Sequence, residues 1–205
     1  FGITRNDLQS IQNKSVEKHV DLLFESSNFK PLTLDLSAFD VDKKELSKEE
    51  RKALRKAANQ TMIQLNLYWM EHMVATEGVL REKMALFFHD HFAVRLKNPV
   101  VCLELLNIIR KNALGNFGEM LMEVSQSPAM IIFLNNQQNK KTHPNENFAR
   151  EVMELFTLGR DNGYTEEDIK EAARAFTGWS IDKRFNFRFN SRVHDTGSKT
   201  VLGQT

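Results

Sequence analysis

Apolar positions along most of this chain recur at intervals of three and four residues, the spacing of one face of a helix. Ser15 opens one such helix through about Glu25, with Val16, Val20, Leu22, Leu23 and Phe24. A short helix is expected after Thr4. Ser47-Lys48-Glu49-Glu50 is a capping box, in which the hydroxyl and the carboxylate each satisfy one orphan N–H. It predicts a long helix to about Ala75, with the stripe Leu54, Ala58, Met62, Leu65, Trp69, His72 and Met73. The next helix begins near Gly78 and carries Leu80, Met84, Phe87, Phe88, His91 and Phe92. Asn98-Pro99, a cap followed by a ring with preset φ, starts another to about Leu114. Shorter helices are expected over Asn116 to Gln126 and Pro128 to Leu134. Thr165-Glu166-Glu167-Asp168 caps a further one through about Phe176, which Gly178 stops.

Near the C-terminus the period changes. Phe185, Phe187 and Phe189 alternate with polar residues, the pattern of a strand or hairpin arm. Residues 26–46 and 135–144 read as loops, the second opening on the low-complexity run Asn135-Asn136-Gln137-Gln138-Asn139-Lys140-Lys141. The expected fold is therefore mainly α, a multi-helix orthogonal or bundle-like domain over residues 1–205. A small hairpin or extended segment should occupy residues 180–205, which end without a stop signal.

The densest segment is His143 to Gly159. It holds a Pro-set turn, a helix start, acids, an Arg and a Gly stop. On a regular helix Asn147, Glu151 and Glu154 share one face, and Phe148, Val152, Leu155 and Phe156 share the neighbouring apolar face. Polar groups beside a core stripe need partners, because an unpaired buried charge is costly. Two readings follow. Glu151 and Glu154 face a common site, or they belong to an ion network, Arg150 with Glu154 four residues on and Glu151 with Arg174 or Arg81 across helices. Asn145 and Glu146 suit a helix entry, and the crowding of hydrogen-bonding side chains also suits a ligand pocket. Trp179, at the turn after Gly178, is either a core plug or a stacking wall for a ring. His91 lies on its apolar stripe and His89 points to nearly the opposite side, so the two do not share a metal.

Composition narrows the classes. With 28 basic and 27 acidic residues the net charge is +1, so no strong field draws the chain to nucleic acid. The single Cys, Cys102, excludes an internal disulfide and a Cys-based zinc cluster. No apolar run of the roughly 18 residues a membrane span needs is present. There is no phosphate-cradling Gly loop, no Gly-x-Ser-x-Gly elbow and no His-Glu-x-x-His, and neither a metal nor a cofactor is expected.

Several motifs occur together and in order: Phe1-Gly2, Leu80-Arg81-Glu82-Lys83-Met84 before His89-Asp90-His91-Phe92, Ser127-Pro128-Ala129-Met130, and Pro144-Asn145-Glu146-Asn147-Phe148-Ala149-Arg150-Glu151. They continue with Gly163-Tyr164-Thr165, Ala173-Arg174-Ala175-Phe176-Thr177-Gly178-Trp179, His194-Asp195 and Lys199-Thr200-Val201-Leu202-Gly203. This series resembles the large bacterial family known as domain of unknown function 1800. The resemblance implies that the chain is the N-terminal portion of a longer domain. It also implies export to the periplasm, the cell surface or the medium. It implies no reaction.

Two functional expectations remain. One is an exported hydrolase acting on an envelope or extracellular polymer. Glu151 or Glu154 would serve as base or metal ligand and His91 as proton carrier or ligand, with Asn145, Asn147, Arg150, Arg174 and Trp179 as substrate contacts. The other is a non-catalytic helical scaffold or binding module, partnered by a polymer or an envelope protein, whose Asn/Glu/Arg motif is a structural network.

Overall fold

The computed structural model describes residues 14–41 and 45–205, together with Gln9 and Gln12. The helix expected after Thr4 lies outside the described residues. The fold is mainly α, with one small antiparallel sheet near the C-terminus. The chain divides into two compact units, Phe1–Asp90 with Lys97–Met120, and His91–Leu96 with Leu121–Thr205.

The first unit holds α1 (Val16–Glu25), α2 (Lys48–Ala75), most of α3 (Val79–Phe92), α4 (Pro99–Asn112) and the start of α5 (Phe117–Gln126). Local chemistry explains the starts. The Ser15 hydroxyl accepts from the Lys18 N–H at 3.3 Å. The box at α2 closes reciprocally, Glu50 N to Ser47 Oγ at 3.2 Å and Ser47 N to Glu50 Oε2 at 2.7 Å. Asn98 Oδ1 caps α4 through the Val100 N–H at 3.1 Å. The core is built from Leu65, Trp69, Ala85, Val101, Leu105, Leu106 and Ile109. Of the stripe expected on α2, only Leu65 and Trp69 are buried. On the opposite side of that helix Ile63, Leu67, Met70 and Val74 are exposed.

The second unit holds α6 (Pro128–Phe133), α7 (Asn147–Glu151), α8 (Glu166–Ala175) and the hairpin β1 (Trp179–Ile181) and β2 (Phe187–Phe189). Ser127 caps α6, and Thr165 with Asp168 forms the reciprocal box of α8. Its core is Ala149, Met153, Ile169, Ala172 and Ala173, against which Leu158, Tyr164, Phe176 and Val201 pack. The hairpin pairs Trp179 with Phe189, Ser180 with Arg188 and Ile181 with Phe187. Phe185 is not in the strand. It sits in the turn with φ of 63°.

Two expectations are corrected here. The helix ending at Gly159 is not α throughout, because Val152–Thr157 is π-helical. A π turn advances fewer degrees per residue than an α turn, so later side chains rotate away from the stripe. Leu155, expected on the core face, is 60% exposed, while Ala149 and Met153 take the buried positions with Phe148 and Phe156. The second correction concerns the polar run at 135–141, where Asn136 and Asn139 are completely enclosed, at 0% and 1% exposure.

Candidate functional site

The enclosed asparagines organise the motif segment. Asn136 Nδ2 donates to the carbonyls of Phe176 and Trp179, each at 3.3 Å. Asn139 Nδ2 donates to Asn136 Oδ1 at 3.2 Å and to the Ala173 carbonyl at 2.8 Å. Its Oδ1 accepts from the Asn145 N–H at 2.9 Å. Asn145 Oδ1 in turn accepts from the Asn147 N–H at 3.0 Å, and Asn147 Nδ2 donates to the Leu134 carbonyl at 3.1 Å. Asn145 and Asn147 thus bind backbone, tying the entry of α7 to the end of α6. Buried amides satisfied on both ends fix one arrangement of loops, since any other leaves a donor or acceptor unmet.

Arg150 gathers carboxylates from two helices. Its guanidinium reaches Glu154 Oε1 at 3.1 Å, Glu146 Oε2 at 3.1 Å and both Glu166 oxygens at 2.9 and 2.7 Å. The hydrogen bonds of Glu166, Glu154 and Glu146 raise the guanidinium pKa further, and those of Arg150 hold the Glu166 carboxyl below its ordinary value. Glu154 is therefore engaged. Burial pushes the Tyr164 phenol up, and its hydrogen bond to Glu154 adds to that, while its oxygen accepts from the Asp161 N–H at 3.0 Å.

Glu151 differs. It is half-buried, and its carboxylate has no ion pair or hydrogen bond among the described residues. The cross-helix partners expected for it are engaged elsewhere. Arg174 binds Asp195 through Nε at 2.7 Å and Nη2 at 3.2 Å, and Glu171 through Nη1 at 2.5 Å. Arg81 donates to the carbonyls of Ser27, Arg110 and Lys111 at 2.6, 2.8 and 2.9 Å.

The Arg174 pair closes a second polar knot. Its hydrogen bond holds the Asp195 carboxyl at a pKa of about 2, helped by the Gly197 N–H. The Asp195 N–H donates to Thr177 Oγ1 at 2.8 Å, and Lys199 donates to the Asp195 carbonyl. Glu171 accepts from the Thr200 N–H at 3.0 Å. His194 Nδ1 donates to the Thr177 carbonyl at 2.7 Å. These bonds fasten residues 194–200 to α8.

His91 Nε2 lies 3.1 Å from the Phe156 carbonyl and so carries the proton there. The carbonyl lies in the last turn before the helix stops at Gly159, where the final carbonyls have no helical donor. Trp179 packs against Phe148, Phe176 and Phe187 with centroids at 6.2, 5.1 and 5.3 Å. It plugs the hairpin onto α7 and α8. No group of three His, Cys, Asp or Glu side chains suited to a metal occurs among the described residues.

In the first unit the structure holds a network that sequence reasoning missed. Glu82 and Arg110, 2% and 1% exposed, meet through Arg110 Nη2 and Glu82 Oε1 at 2.8 Å and through Nε to both oxygens at 3.0 Å. Trp69 Nε1 donates to Glu82 Oε2 at 2.9 Å. His72 Nε2 accepts from Arg110 Nη2 at 3.0 Å. Burial pushes the Glu82 carboxyl up, but the bonds of Arg110 and Trp69 outweigh it and leave it below the ordinary range. Arg110 also donates to the Lys30 carbonyl at 2.9 Å, and Asn107 exchanges two 2.9 Å bonds with Leu32. The only advance signal was Trp69 and His72 on one helical stripe.

The described residues thus form a mainly helical protein whose motif residues bind one another and the backbone. The sequence profile of the family described as protein of unknown function (DUF1800) matches residues 1–205. The chain belongs to that family. Neither a curated protein nor a solved structure matches it.

Proposed function

We propose that this chain is a non-catalytic helical binding module of the cell envelope, in which the Asn/Glu/Arg motif is a structural network. One observation carries the reading: the side chains of Asn145, Asn147, Arg150, Glu154 and Arg174 are all engaged within the second unit. A base already bound to a guanidinium is a poor proton acceptor, and Asn145 Oδ1 and Asn147 Nδ2 are each committed to backbone at the entry of α7. The envelope setting, periplasmic, surface or secreted, and a polymer or envelope protein as partner are part of the proposal. They rest on the resemblance of the motifs.

A second reading is supported by Glu151, the one carboxylate of the motif without a partner among the described residues. As the base of an exported hydrolase it would act with His91 as proton carrier. Glu151→Gln separates the two. Under the first reading the variant melts as the parent does, and a panel of envelope polymers is cleaved by neither. Polymer cleavage by the parent that Glu151→Gln abolishes at unchanged melting temperature overturns the first reading in favour of the second. Fractionation of the native host with an antibody to the chain tests the location, and a purely cytosolic signal refutes it.

A further inference from the structure

The two edges of the hairpin differ, one being covered at Trp179 and the other open along β2 among the described residues. Asn190 N donates to the Gly178 carbonyl at 2.8 Å and Asp182 N to the Asn186 carbonyl at 2.9 Å. In an antiparallel pair, bonded and non-bonded rungs alternate, so Ser180 with Arg188 is the bonded rung between them. Trp179–Phe189 and Ile181–Phe187 are the non-bonded rungs, whose N–H and C=O groups point outward. On β1 the outward groups of Trp179 are met, its N–H by the Phe176 carbonyl at 3.3 Å and its C=O by Asn136 at 3.3 Å. On β2 the outward N–H and C=O of Phe187 and Phe189 have no partner among the described residues.

The side chains at this edge are as informative as the backbone. Phe187 and Phe189 share one face and are 36% and 49% exposed. Arg188 projects from the other face. Lys183, Arg184, Arg188 and Arg192 are all exposed, and neither Arg188 nor Arg192 has an ion pair among the described residues. The one acid in the hairpin, Asp182, accepts from the N–H groups of Arg184 and Asn186 at 2.8 Å. A second copy of this chain fits the edge badly, because antiparallel pairing about Arg188 sets two guanidinium groups side by side.

We propose that the β2 edge binds an extended acidic segment of another protein, which adds as a third strand. Its residues facing Phe187 and Phe189 are apolar, and the residue between them, opposite Arg188, is Asp or Glu. Main-chain bonds supply affinity and the alternation supplies specificity. The inference goes beyond the reading above and stands on a different surface. Its test reads peptide binding, whereas the other reads melting and cleavage.

The probe is a fluorescein-labelled peptide in which Val and Glu alternate, titrated with the whole chain and followed by anisotropy. Saturable binding is expected, with an isomer alternating Val and Lys binding far more weakly. Arg188→Glu, a change at an exposed position, should weaken the Val–Glu peptide by roughly tenfold without shifting the melting temperature. Backbone N-methylation of alternate peptide residues should abolish binding in the register that faces Phe187 and Phe189. The proposal is overturned by an absence of saturable binding, by equal affinity of Arg188→Glu, or by full affinity of both N-methylated registers, which would mark charge attraction without strand addition.

Discussion

Glu82 and Arg110 form a buried ion pair at 2.8 Å that spans 28 residues of sequence and is closed off by Trp69 and His72. Because Arg110 also holds the Lys30 carbonyl, the pair anchors the loop after α1 to α4. The charges are costly to bury and their mutual bonds offset that cost only while both are present.

Arg110→Ala should therefore destabilise the first unit strongly, by about 3–5 kcal/mol, because it leaves a carboxylate enclosed without its cation. Replacing both, as Glu82→Leu with Arg110→Met, should recover most of the loss. Urea unfolding of the parent, the two single variants and the double variant measures this. A double variant as unstable as the sum of the singles would show that the pair is not the unit of cost.

The carboxylates also set a direction for pH. Folded-state values below the ordinary range, as for Glu82 and for Asp195 at about 2, mean that the folded form holds its charge where the unfolded form takes up protons. The stabilisation is complete above the ordinary carboxyl range and is lost as pH falls through the depressed values. The melting temperature should be flat near neutrality and fall from about pH 4 toward pH 2. Asp195→Asn should lower the neutral-pH plateau and flatten the acid limb. An unchanged acid limb in that variant would exclude the Arg174–Asp195 bond as a contributor.

The helices and their caps were legible because their causes are local. Ser15, the Ser47 box, Asn98-Pro99 and the Thr165 box each act within one turn of sequence, and each starts a helix. The pairing of Arg150 with Glu154 is likewise four residues long. What escaped was set by distant partners. The burial of Asn136 and Asn139 depends on carbonyls of Ala173, Phe176 and Trp179, so composition alone suggested a solvated loop. The π segment left Leu155 outside, although the i, i+3, i+4 pattern placed it inside. Glu82 and Arg110 sit on different helices, so no local spacing pairs them.

Arg150 is partly exposed and surrounded by Glu146, Glu154 and Glu166. Arg150→Ala leaves three like charges close together with no cation among them. The melting temperature should fall at low ionic strength, and added salt should return part of the loss by screening the repulsion. Thermal scans at low and high salt provide the measurement. A loss that salt does not diminish would assign the role of Arg150 to packing of its stem on α7 and α8.

Two glycines with left-handed backbones separate strain from contact. Gly159 has φ of 88° and nothing within 4 Å of where a Cβ would stand. Gly178 has φ of 82°, but a Cβ there would lie 2.6 Å from the Asn190 carbonyl oxygen and 3.2 Å from the His194 Cβ. That carbonyl is backbone and accepts from the Val193 N–H at 3.2 Å, while the Asn190 N–H donates to Gly178 at 2.8 Å, so it yields only if the end of the hairpin shifts. Gly159→Ala should cost about 1–2 kcal/mol from the backbone conformation alone. Gly178→Ala should cost more, about 2–4 kcal/mol, and should also alter the near-ultraviolet signal of Trp179, the neighbouring residue. Chemical denaturation of both variants compares the costs directly. Equal losses, with the Trp179 signal unchanged, would mean that Gly178 is required only for its backbone angle and not for the close approach of β1 to the Asn190 turn.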